Sequence, residues 1–316
     1  MALVSRGGYD HKGDAEMMLR ALVFVGLLTS SLLQAAANCP GHGSPGSMLV
    51  SVEWLQTHAK DPGLVVVGVG PRAEFDKGHI PGSVSLELAA ISAKGAALTL
   101  ELPPMAELAD TFAVLGVSNS SRVVLYSVAN SVQSATRVFL TLDAMGLGKN
   151  TALLDGGLAA WTGAGRPTTT DVSAVRRGTV EPCAQTDIIV DAAYVSGNLR
   201  RAGIDIVDAR LPAFYTGEQI PNNQRAGHVP GAVNLPFSSM FDGKGLLKST
   251  DELKGMLSAA GVKTGDRIVS YCHIGQQATV VYFVAQYLGF DARLYDGSWQ
   301  DWSARSELPT EVSKKP

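Results

Sequence analysis

From about residue 48 onward, short apolar runs rich in β-branched residues alternate with longer amphipathic stretches. LVVVGV, VVLYS and IVSYC have the length and make-up of buried strands. DELKGMLSAAGV and ATVVYFVAQYLGF instead space their apolar residues as helices do. Alternation of this kind predicts an α/β fold with a mainly parallel sheet flanked by helices. In open sheets of that class, ligand sites form beyond the carboxyl ends of the strands.

The pattern runs through the chain twice. GHIPGS follows a strand in the first half and GHVPGA follows one in the second. VVLYS, ending at Ser127, is matched by IVSYC, ending at Cys272, and LLDGGLAAW by LYDGSWQDW. The paired landmarks His79 and His228, Tyr126 and Tyr271, and Asp155 and Asp296 keep their order and lie 141–149 positions apart. Such self-similarity marks an internal duplication. It predicts a first domain over residues 48–166, a linker over 167–182 and a second domain over 183–313. Each domain is long enough to bury a core of its own. The linker, RPTTTDVSAVRRGTVEP, has no apolar periodicity and reads as chain draped over the surface.

One copy carries chemistry that the other lacks. At residues 268–290 an apolar strand ends at Cys272, a polar loop containing Gly275 follows, and a helix pattern takes over. That order aims backbone N–H groups and the positive end of a helix dipole at the loop's centre. A cysteine there is expected to act as a nucleophile. His273, Ile274, Gly275, Gln276, Gln277 and Ala278 form the candidate binding loop. Gly275 permits a backbone conformation other residues resist. His273 could favour a thiolate by positive charge or donate to an anion. His79 and His228 sit in Gly-His-x-Pro-Gly turns of both copies, so they are assigned to structure. Arg210 in VDAR is a candidate anion contact, or is tied to Asp208 at a strand end. Trp161 and Trp302 read as packing residues.

Composition narrows the classes. The chain has 316 residues and a formal net charge of −3, with no basic footprint for nucleic acid. No interior run approaches the ~20 apolar residues of a membrane span. Residues 21–37, ALVFVGLLTSSLLQAAA, follow Arg20 and end in an A-x-A site at Ala35–Ala37. Residues 1–37 therefore read as a signal peptide, with a start at Met17 or Met18 giving a more usual length. The expectation is a periplasmic or secreted protein with no membrane association once the leader is removed. Three cysteines in an exported chain leave one over, which allows two readings: Cys39 pairs with Cys183 and Cys272 stays free, or all three are independent thiols.

Taken together, GHIPGS, GHVPGA, the two DG-x-x-x-x-W segments and YCHIGQQA resemble the tandem-domain rhodaneses, a family of sulfurtransferases. DGSWQDWSARSELPTE is similar to the C-terminal signature of the two-domain members. The resemblance spans roughly residues 48–313 and implies two rhodanese-like domains, the first inactive, since Ser127 stands where the second has Cys272. It implies that Cys272 attacks the outer sulfur of a small anionic donor such as thiosulfate or 3-mercaptopyruvate. A persulfide then passes its sulfur to cyanide or a thiol, with no cofactor, in a monomer. The loop departs from both common patterns of the family. CHIGQQ is neither cationic nor a small Gly/Ser loop, and an Arg that many relatives place after the VDAR-like segment is replaced near Phe214.

Other chemistries fit less well. A Cys-loop phosphatase wants an Arg six residues after the Cys, and that position is Ala278. A non-catalytic persulfide carrier would use the same loop. A metal site lacks CxxC or HxxxH spacing, and a dinucleotide site lacks a G-x-G-x-x-G between strand and helix.

Overall fold

The computed structural model describes residue 2 and residues 47–221 and 224–313. The signal-peptide segment and Cys39 lie outside these residues. In the first copy the strands are β1 (Leu49–Val50), β2 (Leu64–Val69), β3 (Val84–Leu86), β4 (Arg122–Ser127) and β5 (Thr151–Leu154). They form a five-stranded sheet in the order β1-β5-β4-β2-β3. In the second, β6 (Ile189–Val190), β7 (Ile204–Asp208), β8 (Val233–Asn234), β9 (Arg267–Tyr271) and β10 (Asp291–Tyr295) take the order β6-β10-β9-β7-β8. The two orders are identical, and every strand pair within the sheets is parallel. The duplication read from sequence is thus a duplication of topology.

Helices connect the strands: α1 (Val52–His58), α2 (Arg72–Lys77), α3 (Met105–Val114), α4 (Val132–Ala144) and α5 (Gly157–Gly163) in the first copy. The second has α6 (Ala192–Gly197), α7 (Pro212–Thr216), α8 (Thr250–Ala259), α9 (Ala278–Tyr287) and α10 (Ser298–Ala304). Ser249 and Glu252 start α8 with a reciprocal capping box. Polar α8 exposes most of its surface, whereas α4 is buried from Ser134 to Ala144 and α9 from Ala278 to Gln286. In α4 the polar residues Ser134, Thr136, Arg137, Thr141 and Asp143 are buried along with the apolar ones, and the two helices pack against each other as well as on their own sheets.

Their contact modifies the expectation that each copy buries a separate core. Phe139 of α4 meets Phe283 of α9 edge on, with centroids 5.0 Å apart, and Thr136 hydrogen-bonds Thr279 at 2.7 Å. The largest apolar cluster runs through both copies, from Met48 and Phe112 to Ile268 and Leu294. Two smaller clusters, around Tyr126 and Trp161 and around Tyr271 and Trp302, lie one in each copy.

The segment after α5 has no regular element from residue 170 to 185. It is nonetheless fastened to the first copy. Gly178 N–H donates to Ala113 O at 2.8 Å and Cys183 N–H to Met145 O at 2.9 Å. Gly-His-x-Pro-Gly turns close both copies in the same way. His79 stacks on Phe75 and pairs with Thr169, while His228 stacks on Tyr215 and pairs with Glu311. Trp161 and Trp302 are buried, and their indole N–H groups donate to Pro167 O and Pro309 O.

Candidate active site

β9 is the middle strand of its sheet, and its carboxyl end delivers Cys272. Cys272 is a free thiol and is fully buried within the shared apolar cluster. The second cysteine, Cys183, is disulfide-bonded. Three anchors hold the loop's first residues. Cys272 N–H donates to Ser298 Oγ at 3.1 Å, Trp299 N–H donates to Cys272 O at 2.9 Å, and Gln300 N–H donates to His273 O at 2.9 Å. The DGSWQDW segment thus turns its helix start toward the cysteine, which gives that motif a local task.

Gly275 lies at the loop's crest with φ +76. A Cβ there would sit 2.4 Å from Asp296 Oδ1 and 2.6 Å from Asp296 O, so conformation and space both require glycine. Among the described residues, the backbone N–H groups of His273, Ile274, Gly275, Gln276 and Gln277 donate to no protein acceptor. Unspent N–H groups in succession, followed by the start of α9 at Ala278, offer a run of donors suited to an anion.

The side chains around the loop contribute little free positive charge. Burial, with the nearby Arg210 guanidinium next in importance, pushes the His273 pKa down to about 4. At neutral pH this imidazole is uncharged, which removes the charge-based role considered for it. Arg210 is wholly buried, and its fork engages Asp208 at 2.6–3.1 Å and Gly227 O at 2.7 Å. It stacks 4.6 Å from the Trp299 ring. Burial works against its charge, but Asp208 outweighs that and raises its pKa. Tyr271 OH also donates to Asp208, at 2.6 Å. Arg210 therefore belongs to a compensated pair beneath the loop, with only Nη1 making no hydrogen bond. Arg225 is spent on the carbonyls of Trp302, Ser303, Arg305 and Leu308. Among the described residues, no group of three or more His, Cys, Asp or Glu side chains could hold a metal ion.

Gln276 reaches across to the first copy, where its amide donates to Ser134 Oγ at 3.1 Å. Three residues near the loop were given no role at the site by sequence reasoning: Arg137, Asp296, which served only as a landmark of the duplication, and Ser298. Arg137 donates to Asp296 and to Gly275 O. Ser298 holds φ +51, a left-handed conformation unusual for a residue with a side chain. Its first-copy counterpart is Gly157, φ +57, where a Cβ would come 2.5 Å from Ser127 Oγ. DGS against DGG was the visible sign of that difference. A lone arginine in the otherwise uncharged stretch VQSATRVFL was the sign of Arg137.

Comparison with known proteins places this geometry. The Rhodanese-like domain family matches residues 51–164 and again 191–305. The chain is 30% identical over 282 residues to the 3-mercaptopyruvate sulfurtransferase of Escherichia coli K12, covering 84% of this chain and 98% of that one. It is 28% identical over 259 residues to the thiosulfate sulfurtransferase of Azotobacter vinelandii, covering 82% and 94%. Among solved structures, the anaerobic ergothioneine biosynthesis enzyme of Chlorobium limicola superposes with a TM-score of 0.75 at 22% identity, over 84% of this chain and 70% of that one, which shows a shared fold. Two matched domains in tandem, with relatives of this identity along most of its length, show that the chain belongs to the rhodanese family of sulfurtransferases.

Proposed function

We propose that the protein moves a sulfane sulfur from a donor such as thiosulfate to cyanide or a thiol through a persulfide on Cys272. The observation that carries this reading is the free thiol at the end of β9, followed by five successive N–H groups without a protein acceptor. The Cys272 thiolate attacks the outer sulfur of thiosulfate. A new S–S bond forms as the old one breaks, and sulfite leaves with the bonding pair. The persulfide's terminal sulfur carries negative charge, which the loop amides stabilise in a site with little water. Cyanide then attacks that sulfur, thiocyanate forms and the Cys272 thiolate is regenerated. This is two-step covalent transfer and gives ping-pong kinetics.

Ser127 ends the equivalent strand of the first copy, and its hydroxyl offers no comparable route to a sulfur carrier. Anionic donors meet loop amides and the dipole of α9 here rather than a free cationic side chain, since His273 is neutral and Arg210 is paired. We further propose that the protein acts as an exported monomer. The apolar segment 21–37 and the disulfide at Cys183 support export, since such bonds persist in oxidising compartments. None of the described helices is long and apolar enough to cross a membrane.

The test is mass spectrometry of the intact protein after treatment with thiosulfate or 3-mercaptopyruvate, beside turnover with cyanide. Gain of one sulfur atom at Cys272 with turnover supports the reading, and comparison of the donors ranks them. Loading without turnover would mark a carrier, and no loading from any donor would sink the mechanism.

A further inference from the structure

We propose that Arg137, which lies in the copy lacking the cysteine, is a positioning residue for the Cys272 loop. The proposal rests on the persulfide role assigned to Cys272 above and adds a task for the first copy. Arg137 projects from α4 and is only 1% exposed. Its Nη1 is shared between Asp296 Oδ1 and Gly275 O, the latter at 3.1 Å, and its Nη2 donates to Asp296 Oδ2 at 3.1 Å. Nη2 also donates to Leu100 O in the first copy. One guanidinium therefore grips the crest of the reactive loop, the acid of the DGSW segment and a loop of the opposite copy.

The grip has a directional consequence. A trans peptide places its C=O and the next N–H on opposite sides. Holding Gly275 O against Arg137 therefore turns the Gln276 N–H away from Arg137, and that N–H is one of the five without a protein acceptor. Leu100 is itself in the left-handed region, φ +64, which costs an L residue energy unless its surroundings hold it there. The adjacent Thr99 N–H donates to Gln300 Oε1 at 3.0 Å, and Gln300 N–H in turn holds His273 O. Two lines of contact thus run from the first copy to the loop, one through Arg137 and one through Thr99.

The internal duplication supplies a control. Thr136 and Thr279 occupy matching places on α4 and α9 and touch each other, so the next residues, Arg137 and Val280, are counterparts. Val280 faces Asp155 and Gly156 of the first copy, lining one small cavity with them. Asp155 takes Leu247 N–H at 2.9 Å, and the arginine clamp has no equivalent there. The clamp exists only on the side that carries the cysteine. A buried ion pair is a poor source of net stability, because desolvating two charges offsets most of their attraction. Its fixed, forked geometry is what this pair contributes to the loop.

The test uses the full chain with Arg137→Gln, Arg137→Lys and Asp296→Asn, and Arg177→Ala at the exposed pair with Asp110 as a control. Steady-state kinetics, single-turnover sulfur loading from thiosulfate, and hydrogen exchange of the Cys272, Trp299 and Gln300 amides, whose bonds hold the loop, are measured on each. Arg137→Gln is expected to lower kcat by roughly 30-fold with KM changed by less than about threefold, the mark of an interaction that serves the reacting geometry. These three anchoring amides should exchange at least about tenfold faster while β2 and β4 keep their protection. Arg137→Lys should fall between, and Arg177→Ala should match the parent. If Arg137→Gln does not fold, Asp296→Asn gives the same reading with the arginine in place. Unchanged loading and anchoring-amide exchange in these variants, or loosening spread evenly over both sheets, overturns the proposal. A parent protein that takes up no sulfur would instead defeat the persulfide reading, and hydrogen exchange would still judge the clamp.

Discussion

The ring of His273 meets the ring of Phe214 edge to face, with centroids 4.6 Å apart. Burial at this contact and the neighbouring Arg210 hold the histidine near pKa 4. The folded protein therefore binds this proton less readily than the unfolded chain, whose histidines titrate near ~6.5. Its contribution to stability is complete above that pH and is lost as pH falls toward 4. The rate should show no inflection from His273 between about pH 5.5 and 8, and His273→Asn should lose part of the acid sensitivity of melting. A resonance assigned to the His273 imidazole and titrating near 6.5 in the folded protein rules this arrangement out.

Phe214 packs against His273 of the loop, so a cation at this position would lie beside the proposed donor site. Phe214→Arg is expected to lower KM for thiosulfate by roughly tenfold, about 1.4 kcal/mol of added anion binding. Michaelis kinetics at two ionic strengths check it, because a charge effect should shrink with added salt.

Tyr271 OH donates to Asp208 at 2.6 Å and accepts from Val229 N–H at 3.0 Å, all of it buried. Tyr271→Phe leaves a charged acceptor and a backbone donor without their partner. A loss of roughly 1.5–3 kcal/mol is expected from urea unfolding. A change below a few tenths would show that the pair relaxes without it.

Gly275→Ala combines two penalties. The left-handed φ of +76 costs an L residue about 1–2 kcal/mol, and the new methyl would press on Asp296. Sulfur loading of Cys272 should fall more than about tenfold, beyond what the fall in melting temperature accounts for. Loading at the parent rate would mean the loop's conformation is not needed for the transfer.

With Cys183 disulfide-bonded and Cys272 free, the unreduced, denatured protein should titrate one thiol. The expected partner, Cys39, lies outside the described residues, so peptide mapping identifies it. Cys183→Ser should cost about 2–4 kcal/mol. Finding three thiols in the mature protein counts against the bond.

Much of the molecule was legible in the chain because it depends on local pattern. Apolar runs ending at Ser127 and Cys272, the repeated Gly-His-x-Pro-Gly turns and the paired DG-x-x-x-x-W segments follow from strand, turn and helix preferences that neighbouring residues settle. The loop from His273 to Ala278 was visible for the same reason. Asp208 and Arg210 were placed at a strand end, but their neutralised pairing with Tyr271 depends on a strand 63 residues away.

Duplication, the parallel α/β units and the copy that holds the cysteine were determined by sequence alone, since local patterns show the units and comparing the two halves residue by residue shows the rest. Tertiary structure decided the rest. It merged the apolar residues of α4 and α9 into a shared core, because each helix buries apolar surface against the other as well as against its own sheet. It made His273 neutral, because charge depends on burial and on Arg210, which no spacing rule encodes. And it brought Arg137 to Gly275 across 138 residues of chain, so that the half without the nucleophile frames the half that has it.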